Sequence, residues 1–110
     1  MVPVDWASPA LADLRGVYDF IARGSRRYAQ LTIERIRSAG GRLADFPEIG
    51  HVLPEFPDGP YRQVLMGSYR IIYRLEEKPR RVFIMAVIHG ARNLAPILKK
   101  RLTNLDEKEN

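Results

Sequence analysis

The apolar positions change period part-way along the chain, and the change predicts a helical first half and an extended second half. Leu11, Leu14, Tyr18 and Ile21 recur at spacings of three and four, with Ala10 and Val17 beside them. One stripe at that period predicts a helix over about 8–22. Ser8 is expected as its N-cap and Pro9 at its first helical position, where a missing N–H costs nothing. Gly24 offers a stop. A second helix is expected where Ala29, Ile33, Ile36, Gly40 and Leu43 keep a 4-3-4-3 spacing, with Arg27, Glu34, Arg35 and Arg42 off that stripe. Gly40-Gly41 strains this reading, since each glycine costs about 1 kcal/mol against alanine inside a helix. Either the helix breaks there, or Gly40 admits a close backbone approach. The two segments read as an antiparallel helical hairpin.

Pro47, Pro54, Pro57, Gly59 and Pro60 predict an irregular loop over 47–60. Beyond it the period is that of strands. Tyr61–Met66 and Ser68–Leu75 read as two strands joined tightly at Gly67, and Glu76-Glu77-Lys78-Pro79 as a polar turn. Residues 81–88 (RVFIMAVI) are almost continuously apolar, which predicts a central strand covered on both faces. Residues 2–6 suit a short edge strand, with Pro3 near its start. A last helix is expected over about 94–102, with Lys99, Lys100 and Arg101 in its final turn, where the macrodipole favours cations. The expected fold class is α+β: an N-terminal helical hairpin packed on a small curled antiparallel sheet, with a C-terminal helix. A single domain is expected over 1–104, with 105–110 a frayed tail.

Composition narrows the function. The chain has 110 residues and no cysteine, which removes disulfide scaffolds and thiolate zinc sites. His51 and His89 are its only histidines and lie far apart, so no metal centre or other cofactor is expected. By count those two could form a histidine-pair ribonuclease, although no spacing supports it. No apolar run approaches a membrane span, and the N-terminus lacks the pattern of a signal peptide. A cytoplasmic protein with no membrane partner is expected. The formal net charge is +5. Residues 61–102 carry ten basic and two acidic side chains, against seven and eight in residues 1–60. Such a stretch suits phosphates or an acidic protein partner.

In the middle strand, alternation places Arg70, Ile72 and Arg74 on one face and Tyr69, Ile71 and Tyr73 on the other. An arginine at the centre of a sheet is costly if buried unpaired, so Arg70 must reach solvent in a concave site or meet a carboxylate. His89-Gly90-Ala91-Arg92 follows the long apolar strand, a place where rigid scaffolds display functional side chains. Arg70 and Arg92 could converge on one anion, since guanidinium forks match phosphate and carboxylate oxygens. The alternative makes Arg70 a structural salt-bridge partner and His89 a strand cap.

Four blocks carry a family resemblance: the strand ending in Trp6 with its Ser-Pro helix start and Tyr18–Ala22, then Leu43–Gly50, Gly67–Arg74 and Ile88–Leu94. In this order over residues 4–95 they resemble the RelE/ParE superfamily of type II toxins. The resemblance implies the hairpin-on-sheet fold already read from the period. It also implies one of two activities: metal-independent cleavage of messenger RNA on the ribosome, or poisoning of DNA gyrase and arrest of replication. Arg70 and Arg92 match the arginines of RelE-type sites, and His89 is the one group able to act as their acid or base. The tyrosine expected beyond them is missing from Asn93–Leu98. The wording "YRIIYR … HGARNL" is more similar to ParE. The implied reading is therefore a ParE-like gyrase inhibitor, with a RelE-like endoribonuclease as the alternative. The resemblance further implies a cognate antitoxin, ParD-like or other, and a homodimer or hetero-oligomer with it. Arg62, Tyr69, Arg70, Arg74, His89 and Arg92 are the implied target- or antitoxin-binding residues.

Overall fold

The computed structural model describes residues 1–90, 95, 96, 99–101 and 103. Strand β1 (Val4–Trp6) leads into helix α1 (Ser8–Ala22) and helix α2 (Arg26–Gly41). A 3-10 turn over Arg42–Ala44 follows, and then strands β2 (His51–Val52), β3 (Tyr61–Met66), β4 (Tyr69–Glu77) and β5 (Arg80–His89). Residues 95, 96, 99–101 and 103 are helical. Leu94, Ile97, Leu98, Leu102 and the 105–110 tail, on which parts of the C-terminal expectation rest, lie outside the described residues.

The helix ends follow local chemistry. Ser25 caps α2 by accepting the Tyr28 N–H at 3.0 Å. At α1 the expected cap is displaced by one residue. Ala7 holds the N-cap position and Ser8 already lies in the helix, because the Ala7 N–H is bound to the Ile84 carbonyl and fixes where the chain turns. Gly24 closes α1 without a left-handed conformation, and Gly67 is the sole described residue with a positive φ, +58°. That value at the first central position of a two-residue loop matches the twist of the β3–β4 hairpin.

The sheet order is β1-β5-β4-β3-β2. Strands β2 and β3, β3 and β4, and β4 and β5 are sequence-adjacent antiparallel neighbours, but β1 runs parallel to β5, with Val4 opposite Val82 and Trp6 opposite Ile84. The sheet is therefore mixed where a wholly antiparallel one was expected, since residues 7–79 intervene and bring the chain back in the same direction. Strand β2, inside the expected loop, pairs His51 with Gln63 and Val52 with Arg62.

Both faces of the sheet are covered. On one, Ile71, Tyr73, Val82, Ile84 and Val87 pack against Ala10 and Leu14 of α1 and Ile36 of α2. On the other, Ile72, Phe83, Met85, Ala86 and Ile88 lie beneath Leu53, Tyr61 and the partly buried Phe56, so the Pro-rich loop is a lid over the far face. A register shift between Ile72 and Tyr73 places Ala86 opposite the first and Ile84 opposite the second. Met85 is the extra residue, and side-chain parity flips past it. The bulge and the double cover together explain the unbroken apolar run of β5.

At Gly40 the close approach is made by side chains, where a backbone was expected. A Cβ there would fall 2.6 Å from Trp6 Cζ2 and 3.0 Å from Ile84 Cδ1, whereas Gly41 meets nothing within 4 Å. The helix passes through both.

Candidate functional site

The β3–β4 turn and the end of β5 frame an open-sided cleft of about 470 Å³, with Arg70 at its centre and Tyr69, His89, Gln63 and Glu55 around it. Arg70 shares a face of β4 with Ile72, as alternation predicts; that face lies beneath the lid, and the lid supplies its partner. Arg70 Nη1 and Nη2 donate to the two carboxylate oxygens of Glu55, each at 2.8 Å, and Nε donates to Gln63 Oε1 at 2.6 Å. Three of its five N–H groups are thus spent inside the chain. Of the two fates open to Arg70, the carboxylate is the one realised. The Arg70 hydrogen bond holds the Glu55 carboxyl below the usual glutamate range, against an opposing push from burial.

His89 is exposed and lies opposite Tyr69 in the β4–β5 ladder. Their rings meet edge to face, with centroids 5.5 Å apart and planes at 86°. Burial pushes the Tyr69 phenol up, with a smaller contribution from Tyr28. Gly90 N–H donates to the Ser68 carbonyl at 2.7 Å, and this closes the strand end against the hairpin turn. Arg92 lies outside the described residues, so its convergence with Arg70 stays an expectation.

Arg62 and Arg74 do not line this cleft. Arg62 Nη1 donates to the Gly50 carbonyl at 3.0 Å and the Glu48 carbonyl at 3.4 Å, fastening β3 to the segment before β2. Arg74 donates to Glu76, which also accepts from Arg81, and both guanidiniums lie over the Phe83 ring at 5.8 and 5.0 Å. The Arg81 hydrogen bond is the main cause of the lowered Glu76 pKa; burial opposes it and Arg74 assists. Arg81 reaches Asp5 at 3.2 Å, and Arg80 reaches Glu48 at 3.1 Å. The sheet cations are therefore largely neutralised by carboxylates from other parts of the chain, a compensation hidden from charge counts along the sequence.

Sequence reasoning missed Glu55 and Gln63. The signal for Glu55 was present in Leu53-Pro54-Glu55-Phe56: a carboxylate between two apolar residues that must bury is carried inward with them and needs a cation. Among the described residues no group of three His, Cys, Asp or Glu side chains could hold a metal ion. Nor, among them, is any helix long and apolar enough to cross a membrane.

A family model described as the ParE toxin of type II toxin–antitoxin system, parDE, matches residues 4–94. The chain belongs to this toxin family. The ParE-family chain shares its fold with several solved structures. It aligns with the chromosomal ParDE toxin–antitoxin system from P. aeruginosa at a TM-score of 0.68 and 17% identity, over 81% of this chain and 96% of that one. A mutant of the E. coli toxin RelE in the free state gives 0.64 and 18%, over 94% of this chain and 96% of that one. The toxin–antitoxin complex RelBE2 from Mycobacterium tuberculosis gives 0.58 and 22%, over 80% of this chain and 96% of that one. No curated protein sequence matches the chain.

Proposed function

We propose that this toxin acts by inhibiting DNA gyrase and thereby replication, and that a cognate antitoxin of the ParD kind neutralises it. The supporting observation is the state of Arg70. Cleavage of RNA at a 2′-hydroxyl needs a base, a clamp for the phosphate and an acid for the leaving oxygen. The arginine best placed to clamp a phosphate is instead held by Glu55 and Gln63. The absence of tyrosine from Asn93–Leu98 and the match to the ParE family model support the same reading. The antitoxin rests on the family and on the ParDE and RelBE assemblies that share the fold. Tyr69, His89 and the Arg70–Glu55 pair form the surface proposed to meet target or antitoxin. Arg92 belongs to it by sequence position.

A second reading, messenger RNA cleavage on the ribosome, is favoured by one observation: His89 stands beside Tyr69 on the rim of the Arg70 cleft, where an acid or base would be needed. One pair of assays separates the two. Purified toxin is added to gyrase and relaxed plasmid, and transcript ends are mapped on translating ribosomes. Loss of supercoiling with intact transcripts is expected. Cut transcripts with unimpaired gyrase would establish the second reading instead.

A further inference from the structure

We propose that the outward face of the α1–α2 hairpin binds the phosphate backbone of double-stranded DNA. The observation is a contrast between the two halves of the fold. Arg62, Arg70, Arg74, Arg80 and Arg81 on the sheet all have partners within the chain. On the hairpin, Arg15, Arg23, Arg26, Arg27, Arg35, Arg37 and Arg42 are all exposed. Among the described residues, none of these seven takes part in an ion pair; Arg23 alone has another contact, over the Phe20 ring at 5.8 Å. Lone exposed arginines are ordinary, but every described arginine of the sheet is engaged, and the described arginines without a hydrogen-bond or ion-pair partner all belong to the helical hairpin and the turns at its ends.

The spacing organises them. Arg27, Leu31, Arg35 and Ser38 follow intervals of four, four and three, so they share one side of α2, and Arg42, its right-handed C-cap four residues on, continues the row into the 3-10 turn. At about 1.5 Å per residue, Arg27 and Arg35 stand about 12 Å apart along the axis and Arg35 and Arg42 about 10 Å. Arg15 and Arg23 make a second row with a similar interval on the neighbouring helix. The hairpin carries three acidic side chains, Asp13, Asp19 and Glu34. Asp13 is already paired with Arg101 at 2.7 Å, and Glu34 accepts a hydrogen bond from Gln30.

Rigid rows of guanidiniums suit a rigid polyanion. Duplex DNA presents one charge per roughly 1.7 Å of its axis, so several phosphates lie within reach of each row. A single strand is bound on aromatic platforms between the cations, and this stripe contains none: Phe20 and Tyr28 stand at the hairpin turn instead. An acidic peptide that folds on its partner needs apolar anchors, and the stripe offers Leu31 alone. No base-reading contact is implied, so the binding is independent of sequence. It is also independent of the target reading: a toxin that spared gyrase could bind DNA through this face, and a gyrase inhibitor could lack it.

The test measures binding of the full chain to a fluorescent 20-bp duplex between 50 and 200 mM NaCl. Two triple variants of equal charge are compared: Arg27→Gln/Arg35→Gln/Arg42→Gln on the hairpin, and Lys78→Gln/Lys99→Gln/Lys100→Gln at exposed lysines elsewhere. Each lost phosphate contact lowers the slope of log K against log salt by about 0.9, so the hairpin triple should lose about 2.7 and the lysine triple much less. Equal losses in both triples would mean attraction by bulk charge and would overturn the proposal. So would a wild-type slope in the hairpin triple, or tighter binding to single-stranded RNA or polyglutamate than to the duplex. Circular dichroism confirms that both triples fold. Gyrase inhibition measured on the same variants reports on the target reading separately.

Discussion

Glu55 grips Arg70 through two parallel hydrogen bonds of 2.8 Å each, across the gap between the Pro-rich lid and the fourth strand. The Arg70 side chain is 11% exposed and that of Glu55 20%, so the pair is neither a surface contact nor a sealed one. Bidentate geometry and the third hydrogen bond to Gln63 offset much of its desolvation. Exposed pairs contribute about 0–1 kcal/mol, and breaking a fully buried pair costs about 3–5 kcal/mol. Arg70→Met, which strands the Glu55 charge, is expected to cost about 2 kcal/mol in urea denaturation. Glu55→Gln, which leaves a neutral acceptor, should cost about 1 kcal/mol. The double variant should recover part of the loss, with a coupling of about 1 kcal/mol. Strict additivity would show that the lid does not depend on this pair.

Acid should loosen the lid and the far corner of the sheet together. Glu55 and Glu76 both titrate below the usual glutamate value of 4.5, Glu55 mainly through its hydrogen bond from Arg70 and Glu76 mainly through that from Arg81. The folded chain holds these two protons less tightly than the unfolded chain does. Their contribution is complete above 4.5 and is lost as pH falls through their folded values. Asp13 acts in the opposite sense. Burial raises it above 3.8, so its neutral form favours the fold, and that contribution is lost as pH rises through its raised value. Urea midpoints between pH 7 and pH 3 should therefore fall below about pH 4.5. Glu55→Gln/Glu76→Gln should flatten the fall; an unchanged profile would assign it to other carboxylates.

The elements were legible because period and punctuation are local. Ala10, Leu14, Ile36 and Leu43 mark buried helix positions, and all four lie in the helix-side core. What failed to show in the sequence was pairing at a distance. Nothing in Val4–Trp6 says that its neighbour is Val82–Ile84, or that the two run parallel. Likewise the basic run after residue 60 looked like the charged surface, yet its arginines meet Asp5, Glu48, Glu55 and Glu76. Counts along the chain ignore which carboxylates the fold delivers, so the charge of the sheet was misplaced although the face that Arg70 shares with Ile72 and Arg74 was read correctly.

Two adjacent glycines should respond with opposite signs. Gly40→Ala gains up to about 1 kcal/mol of helix propensity but drives a methyl group into the Trp6 ring, for which the contact would be 2.6 Å. Overpacking of this kind costs about 1–3 kcal/mol, so the net change should be a loss. Trp6→Leu should relieve part of it. Gly41→Ala has open space around its Cβ and should stabilise by up to about 1 kcal/mol. Thermal unfolding of the two variants checks both signs, and a destabilised Gly41→Ala would mean that α2 ends earlier than described.

Asp13 should prove to be the joint between α1, β5 and the C-terminal helical residues. Strand β1 covers β5 from Val82 to Ile84, and past that point, among the described residues, the outer edge of β5 has no strand beside it. There Asp13 Oδ2 accepts the Val87 N–H at 2.9 Å and Arg101 Nη1 at 2.7 Å, so one carboxylate finishes the edge and holds Arg101. Asp13→Ala orphans a backbone donor and should cost about 1–3 kcal/mol. Asp13→Asn keeps an acceptor for Val87 and loses only the charge, so its cost should be smaller. Hydrogen exchange at the Val87 amide should quicken in the alanine variant and change little in the asparagine one. Trypsin should cut after Arg101 faster in both, because both lose the ion pair. Equal damage from the two substitutions would mean that the charge, and not the strand-edge hydrogen bond, is what the fold needs from this residue.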